Sequence, residues 1–285
     1  MPADPHTAVK QELLVRYLDY WAPTALGSGR AATYLDRSTY GAAAAVRVFT
    51  EFSDLVTGRG LDVLVDGPLP TDPGITGLRI SAAPADPAVA AGRGYVLAHL
   101  TGPVDEGLRR ALGNLPTGEL LLVTDPEDGD PREPLYAAGF AYAVAVELVD
   151  TGGTAQLLRF ATSRTRSLER FKDELWAVDE FAGVRYRDPT DPDGVLLDIS
   201  AEPHPGPLRH ALLVHLAAAG PCRVVDLRTH ALTRTLYRPG DVARALAPLL
   251  TRGALVREPP HGRLTGATLV RLAGGARRPR GPAGR

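Results

Sequence analysis

The chain has 285 residues, 44% of them hydrophobic, enough for one large domain or two ordinary ones with packed cores. Its single cysteine, Cys222, excludes an internal disulfide framework, and no run approaches the roughly 18 apolar residues of a membrane span. The opening MPADPHTAVKQELL lacks the basic-then-apolar order of a secretion signal, so a reducing, cytoplasmic setting is expected.

The formal net charge of −1 conceals a split. From His204 onward there are fourteen arginines and three acids, Asp226, Asp241 and Glu258, a formal +11 that leaves −12 on the rest. Lys10 and Lys172 are the only lysines, and the wealth of Arg, Ala, Gly and Pro reads as the codon bias of a GC-rich, actinobacterial type of genome. Such a bias acts on both halves alike. The split therefore points to two different partners, or to two domains that dock on each other.

Pro5 to Trp21 has the spacing of an amphipathic helix, with Val9, Leu13, Leu14, Tyr17, Leu18 and Trp21 on one face. A short apolar run, Ala31 to Leu35, is followed by Asp36. A second helix follows Gly41, with Ala45, Val48, Phe49, Phe52, Leu55 and Val56 facing inward. Strands are expected at Leu61 to Val65, Leu78 to Ile80, Tyr95 to Leu100 and Leu120 to Val123, with a helix over Val104 to Leu115 between the last two. The unbroken apolar run at 120–123 suits a central parallel strand covered on both faces. Pro134 to Phe140 reads as a short helix ending at Gly139. Two β-rich runs follow, Ala141 to Val149 and Thr154 to Thr162, joined by Asp150, Thr151, Gly152 and Gly153 as a hairpin. Ser167 to Asp179 is a further helix.

The segment from Gly183 to Asp198 has two short strand runs around an Asp/Pro/Gly-rich turn and reads as a linker hairpin. Beyond it come helices at Pro207 to Ala219, Val224 to Thr235 and Asp241 to Arg252. A β-hairpin of Ala254 to Glu258 and Thr268 to Leu272 closes the series, the pattern of a winged helix-turn-helix. The expected organisation is an α/β, Rossmann-like domain over residues 1–180, a linker at 181–203, a winged-helix domain at 204–272, and a disordered basic tail at 273–285.

A parallel sheet that closes on an antiparallel hairpin after an "AGF" helix resembles the class I S-adenosylmethionine-dependent methyltransferases. Three stretches narrow the resemblance to the three-Cys-motif partner proteins. His6, Lys10, Leu13, Leu14, Tyr17 and Leu18 are similar to that family's opening "H…K…LL..YL" helix. Tyr34, Leu35 and Asp36 stand where it has "YxDxFAGxG". Phe160 to Thr162 with Phe171 to Asp179 is similar to "FATxxxxGLxxMKxAMWxVD". The resemblance covers the chain to about Asp179 and implies a methyltransferase-type sheet ending in an antiparallel hairpin, S-adenosylmethionine as cofactor and a three-Cys-motif protein as partner.

The departures fall on the chemistry. The glycine-rich turn that lets backbone approach the cofactor is replaced by Arg37 to Tyr40, with only Gly41 left. The family's "DPxG" after the fourth strand is here Leu100, Thr101, Gly102 and Pro103, without its carboxylate.

Candidate cofactor-binding residues are Asp36, Gly41 and Asp66. Asp36 suits a cofactor amino group or a strand-end turn. Asp66 suits ribose hydroxyls, or a turn with Gly67 and Pro68. His99, on the fourth strand, is a general base by position or a packed histidine. Cys222 lies at an expected helix start without a nearby His pair, which favours a small buried residue over a reactive thiol. No zinc spacing, phosphate loop or nucleophile elbow is present. In the basic half Arg238, Arg244, Arg257 and Arg263 occupy positions that meet nucleic acid in DNA-binding winged helices, or a protein partner in docking ones.

The resulting expectation is a methyltransferase-like protein with a degenerate cofactor site that binds S-adenosylmethionine weakly or not at all. It would act as an accessory factor through nucleic acid or a protein partner. An active methyltransferase with an altered loop and a protein-docking module without nucleic acid are the rivals.

Overall fold

The computed structural model describes residues 4–86, 94–178 and 183–274, and the chain divides into two compact units, Met1–Pro203 and His204–Arg285. The first unit opens with α1 (Pro5–Gly27), whose N-cap Asp4 accepts from the backbone N–H groups of His6 and Thr7 at 3.3 and 3.1 Å. The helix continues past Trp21 and through Pro23, because Ala22, Ala25 and Leu26 are buried. Burying that extra apolar turn outweighs the hydrogen bond Pro23 cannot donate.

Then come β1 (Ala32–Arg37), α2 (Gly41–Glu51), α3 (Ser53–Arg59), β2 (Leu61–Val65), β3 (Leu78–Ala82) and β4 (Tyr95–Thr101). The single helix expected after Gly41 is broken at Phe52. Leu55 consequently turns outward and is 40% exposed rather than packed. The series continues with α4 (Glu106–Gly113), β5 (Gly118–Thr124), α5 (Glu133–Ala137), β6 (Tyr142–Val149), β7 (Ala155–Thr162), α6 (Thr165–Ala177), β8 (Arg185–Arg187) and β9 (Leu196–Asp198).

All nine strands form one sheet in the order β3-β2-β1-β4-β5-β7-β6-β8-β9. The pairs from β3 to β5 are parallel, and β7 runs antiparallel between β5 and β6. The hairpin joining β6 to β7 turns at Asp150, whose backbone N–H donates to Thr154 at 3.0 Å, and Gly153 supplies a φ of 82°. Of the strand pair read as a linker, β8 is instead hydrogen-bonded to β6 and β9 to β8, so both extend the sheet. Tyr186 explains why: it is fully buried, its ring 5.4 Å from Trp176 and its hydroxyl donating to the Leu175 carbonyl at 2.9 Å.

Helices cover both faces. On one, α1 packs against α2, α3 and α6. There Phe160 and Phe171 stack at 4.2 Å beside Tyr17, which donates to the buried Glu119 at 2.6 Å. On the other, Leu108 and Leu112 of α4 and Leu135 of α5 pack on Leu35, Ala98, Leu122 and Ala161.

The second unit holds α7 (Gly206–Ala219), β10 (Cys222–Arg223), α8 (Val224–Arg234), α9 (Asp241–Thr251), β11 (Leu255–Glu258) and β12 (Leu269–Leu272). Its antiparallel sheet has the order β10-β12-β11. Strand β10, two residues long, carries no alternation and was not expected. Ala273 and Gly274 form a turn in which Ala273 donates to the Ala254 carbonyl at 3.0 Å. The remainder of the expected tail, 275–285, lies outside the described residues, as does Asp179. Among the described residues no helix is long and apolar enough to cross a membrane.

Candidate functional site

In a doubly wound sheet the ligand-binding edge is the carboxyl end of the parallel strands, where their order reverses. Here that reversal lies between β1 and β4, and the register sets Asp36 directly beside His99. Both are fully buried. His99 Nδ1 is 2.9 Å from Asp36 Oδ2, and the same oxygen accepts from the Tyr34 hydroxyl at 2.6 Å. Asp36 Oδ1 accepts from the backbone N–H and the hydroxyl of Ser38, at 2.9 and 3.0 Å. Burial pushes the Asp36 carboxyl up, but hydrogen bonds from His99, Tyr34 and Ser38 hold it below the ordinary value. The carboxylate is thus ionised and satisfied by its own chain.

The other imidazole nitrogen, Nε2, is 3.0 Å from the Tyr40 hydroxyl. Burial first, and then the Asp36 charge, raise the Tyr40 phenol far above its ordinary value, so it keeps its proton and donates to Nε2. Nδ1 then carries the imidazole proton and donates to Asp36, an assignment that follows from the hydrogen-bond network. Phenol, imidazole and carboxylate form one chain, with the Tyr40 ring packed edge-on to His99 at 5.1 Å. Lys10 lies 5.4 Å from the Tyr40 ring centre and donates to Gln156 at 2.6 Å. Burial lowers its ammonium pKa, partly offset by Asp4.

Gly41 belongs to the same cluster. A Cβ there would stand 2.1 Å from Asp36 Oδ2 and 2.5 Å from His99 Nδ1. Its backbone N–H donates to Ser38 Oγ at 2.8 Å. Asp66 lies apart from it: its carboxylate accepts from Arg37 Nε at 2.8 Å, in a pair whose side chains are 33% and 55% exposed. The structure therefore gathers Asp36, Gly41 and His99 into one network and ties Asp66 to the loop arginine. Tyr34, Ser38 and Tyr40 were not read as site residues from the sequence, and only the observed register sets Asp36 and His99 at one level. Two open depressions on this unit lie elsewhere, one lined by Ala8, Gln11, Glu12, Val15 and Arg47, the other by Tyr20, Arg166, Glu169, Arg170 and Asp173.

In the second unit, Arg238 Nε and Nη2 both donate to the buried Asp241, each at 3.1 Å, and Arg244 Nη2 joins them at 3.2 Å. The guanidinium of Arg257 donates to the carbonyls of Pro259, His261, Gly262 and Arg263, holding the loop between β11 and β12 in shape. Arg263 is exposed, and among the described residues its side chain makes no hydrogen bond. Cys222 does have a His pair beside it. Its sulfur is 3.9 Å from His215, whose ring stacks on His230 at 4.1 Å. Burial, then the Asp226 charge, push the thiol up, away from reactivity. Among the described residues no group of three His, Cys, Asp or Glu side chains is arranged to hold a metal ion.

Neither a protein-family model nor a curated protein sequence matches the chain. Solved structures similar to it include EvdMO1, at 13% identity over 55% of this chain and 43% of that one, with a TM-score of 0.31. A predicted O-methyltransferase, Atu636 from Agrobacterium tumefaciens, is 15% identical over 52% and 79%, with a TM-score of 0.28. A mutant of MtNAS is 15% identical over 52% and 60%, with a TM-score of 0.23. The chain thus spans less than half of the first. These likenesses are too distant to carry an argument, and the strand order has to speak for itself. Five parallel strands in the order 3-2-1-4-5, with β7 entering antiparallel between β5 and β6, make a Rossmann-like sheet.

Two outcomes follow for this geometry. Gly41→Ala overfills the network and is expected to cost about 1–3 kcal/mol. Gly58→Ala, in a helix with nothing within 4 Å of the added carbon, should be neutral or stabilising by about 0.5–1 kcal/mol. Urea unfolding followed by Trp21 and Trp176 fluorescence separates them, and equal midpoints would contradict the packing described. The second outcome concerns pH. Burial first, then the charges of His215 and Arg234, lower His230 to about 4 from its ordinary 6.5. Between those values the unfolded chain binds a proton that the folded one refuses, so the α7–α8 packing loses stability as pH falls through that window and is fully stable above it. Amide exchange of α7 and α8 peptides, corrected for intrinsic rates, should show easier opening at about pH 5 than at about pH 7.5, and His230→Phe should abolish the difference.

Proposed function

We propose that this chain is a methyltransferase-like protein whose cofactor place is filled by its own side chains, and that it works as an accessory factor through its basic C-terminal unit. The observation that carries the reading is the closed chain Tyr40–His99–Asp36 at the reversal point of the sheet. S-adenosylmethionine does not fit these residues. Every acceptor direction of Asp36 faces a donor of the chain, Asp66 is held by Arg37, and Tyr40 packs on His99 where a glycine turn would leave room. The opening helix with His6 and Lys10 and the Phe160 to Trp176 stretch support kinship with the three-Cys-motif partner proteins.

For the second unit the reading is a winged-helix module that touches nucleic acid. Its three helices and its antiparallel sheet, with the loop between β11 and β12 as the wing, support that assignment, as does the formal +11 charge. The four candidate arginines divide by role. Arg238 and Arg244 shape the start of α9 through Asp241, Arg257 shapes the wing, and Arg263 is left to meet phosphate. A protein partner in place of nucleic acid is the competing occupant of the same surface.

Calorimetric titration of S-adenosylmethionine into the full chain tests the first half. The expected dissociation constant is above about 100 μM, less than about 5.5 kcal/mol of binding. Micromolar affinity would instead make the chain an active-site-bearing methyltransferase with an altered loop. For the second half, duplex DNA binding by the full chain should weaken with salt at about −0.9 log units per phosphate neutralised. Arg263→Ala should shallow that slope by about one unit. Arg238→Ala should lower the melting temperature while leaving the slope unchanged. An unchanged slope in Arg263→Ala would remove nucleic acid from the reading and leave protein docking.

A further inference from the structure

Charge is also concealed on the opposite face of the first unit, beneath the loop that follows β5. Arg159, on β7, is only 4% exposed. It sits opposite Leu122 of β5 and Ala145 of β6. Its Nη2 donates to Thr124 Oγ1 at 2.9 Å, and its Nη1 meets the Glu127 carboxylate and the Pro131 carbonyl. Its Nε is buried with no acceptor. Arg109, on α4, has a buried Nε without an acceptor as well, and α4 packs on β5 beside α5.

Three acids of the flanking segments have partners of their own. Glu106 pairs with Arg110 at 2.6 Å, Asp105 caps the Leu108 N–H, and Asp130 takes both Nε and Nη2 of Arg132 at 2.8 Å each. Glu127, the carboxylate that Arg159 meets, is itself 43% exposed. Burial, first, together with Arg109 lowers the Arg159 pKa. Buried guanidinium N–H groups that point at no acceptor are costly, and a pair of them is ready to take an oxyanion.

We propose that Arg109 and Arg159 form a binding site for a small oxyanion, a phosphate or carboxylate group, which enters beneath the β5–α5 loop past Glu127. The site is independent of the Asp36 network. Leu35 shares this face of the sheet, so Asp36, next along β1, points to the other one.

Calorimetry and thermal melting of the full chain with inorganic phosphate, and separately with acetate, at constant ionic strength test this. Saturable binding is expected, with a dissociation constant on the order of 1 mM. Arg109→Gln should weaken it by about tenfold or more, and Arg159→Met should abolish it. Arg110→Gln, one residue along the same helix, and Arg263→Ala, in the other unit, should bind as the wild type does. Phosphate binding without acetate binding assigns the site to phosphoryl groups, acetate without phosphate assigns it to carboxylates, and equal binding of both makes it a general oxyanion site. If Arg159→Met fails to fold, Arg109→Gln decides alone. Absence of saturation, as when water alone satisfies these N–H groups, or wild-type binding by Arg109→Gln, overturns the proposal.

Discussion

A carboxylate with no exposure to water must be met by donors, and the burial of Asp36 organises the carboxyl edge of the sheet. Its four close donors come from three places: Tyr34 on its own strand, His99 on the neighbouring one, and the hydroxyl and N–H of Ser38 in the turn before α2. Each imposes a further demand. His99 needs an acceptor role for its second nitrogen, which Tyr40 meets; Ser38 draws the first N–H of α2 onto its oxygen; Gly41 must lack a side chain so that the helix can start this close. The turn that approaches a ligand in other proteins of this architecture here approaches the protein itself.

Elements whose signal is local were legible from the residues. The apolar run at 120–123 is a central strand, and the Gly152–Gly153 turn does join two antiparallel strands. The opening helix was recognisable from its one apolar face, although its end was not, because Pro23 is tolerated only where tertiary burial compensates. The edge strands β8 and β9 looked like a linker because three residues each give no periodicity; the burial of Tyr186 against Trp176 is what recruits them. Strand β10 is shorter still and exists only through its bonds to Leu269 and Val270.

The site was legible in its members but not in its connections. Asp36, Gly41 and His99 each stood out separately, yet 63 residues separate the acid from the imidazole, and only the parallel register joins them. Arginines gave the opposite lesson. A guanidinium counted as surface charge can equally be a framework group, as Arg238, Arg244 and Arg257 are through Asp241 and the carbonyls of the β11–β12 loop. Position relative to a groove says where an arginine stands, whereas its acceptors say whether it is free to bind.

The Tyr40–His99–Asp36 chain can be observed directly in solution. Long-range proton–nitrogen correlation spectra of the histidine side chains of the full chain report which imidazole nitrogen carries the proton. His99 should show a protonated Nδ1 and an acceptor Nε2, and adding S-adenosylmethionine should leave both signals unmoved. A protonated Nε2, or signals that shift as S-adenosylmethionine is added, would mean that Tyr40 does not close the site and that a ligand can.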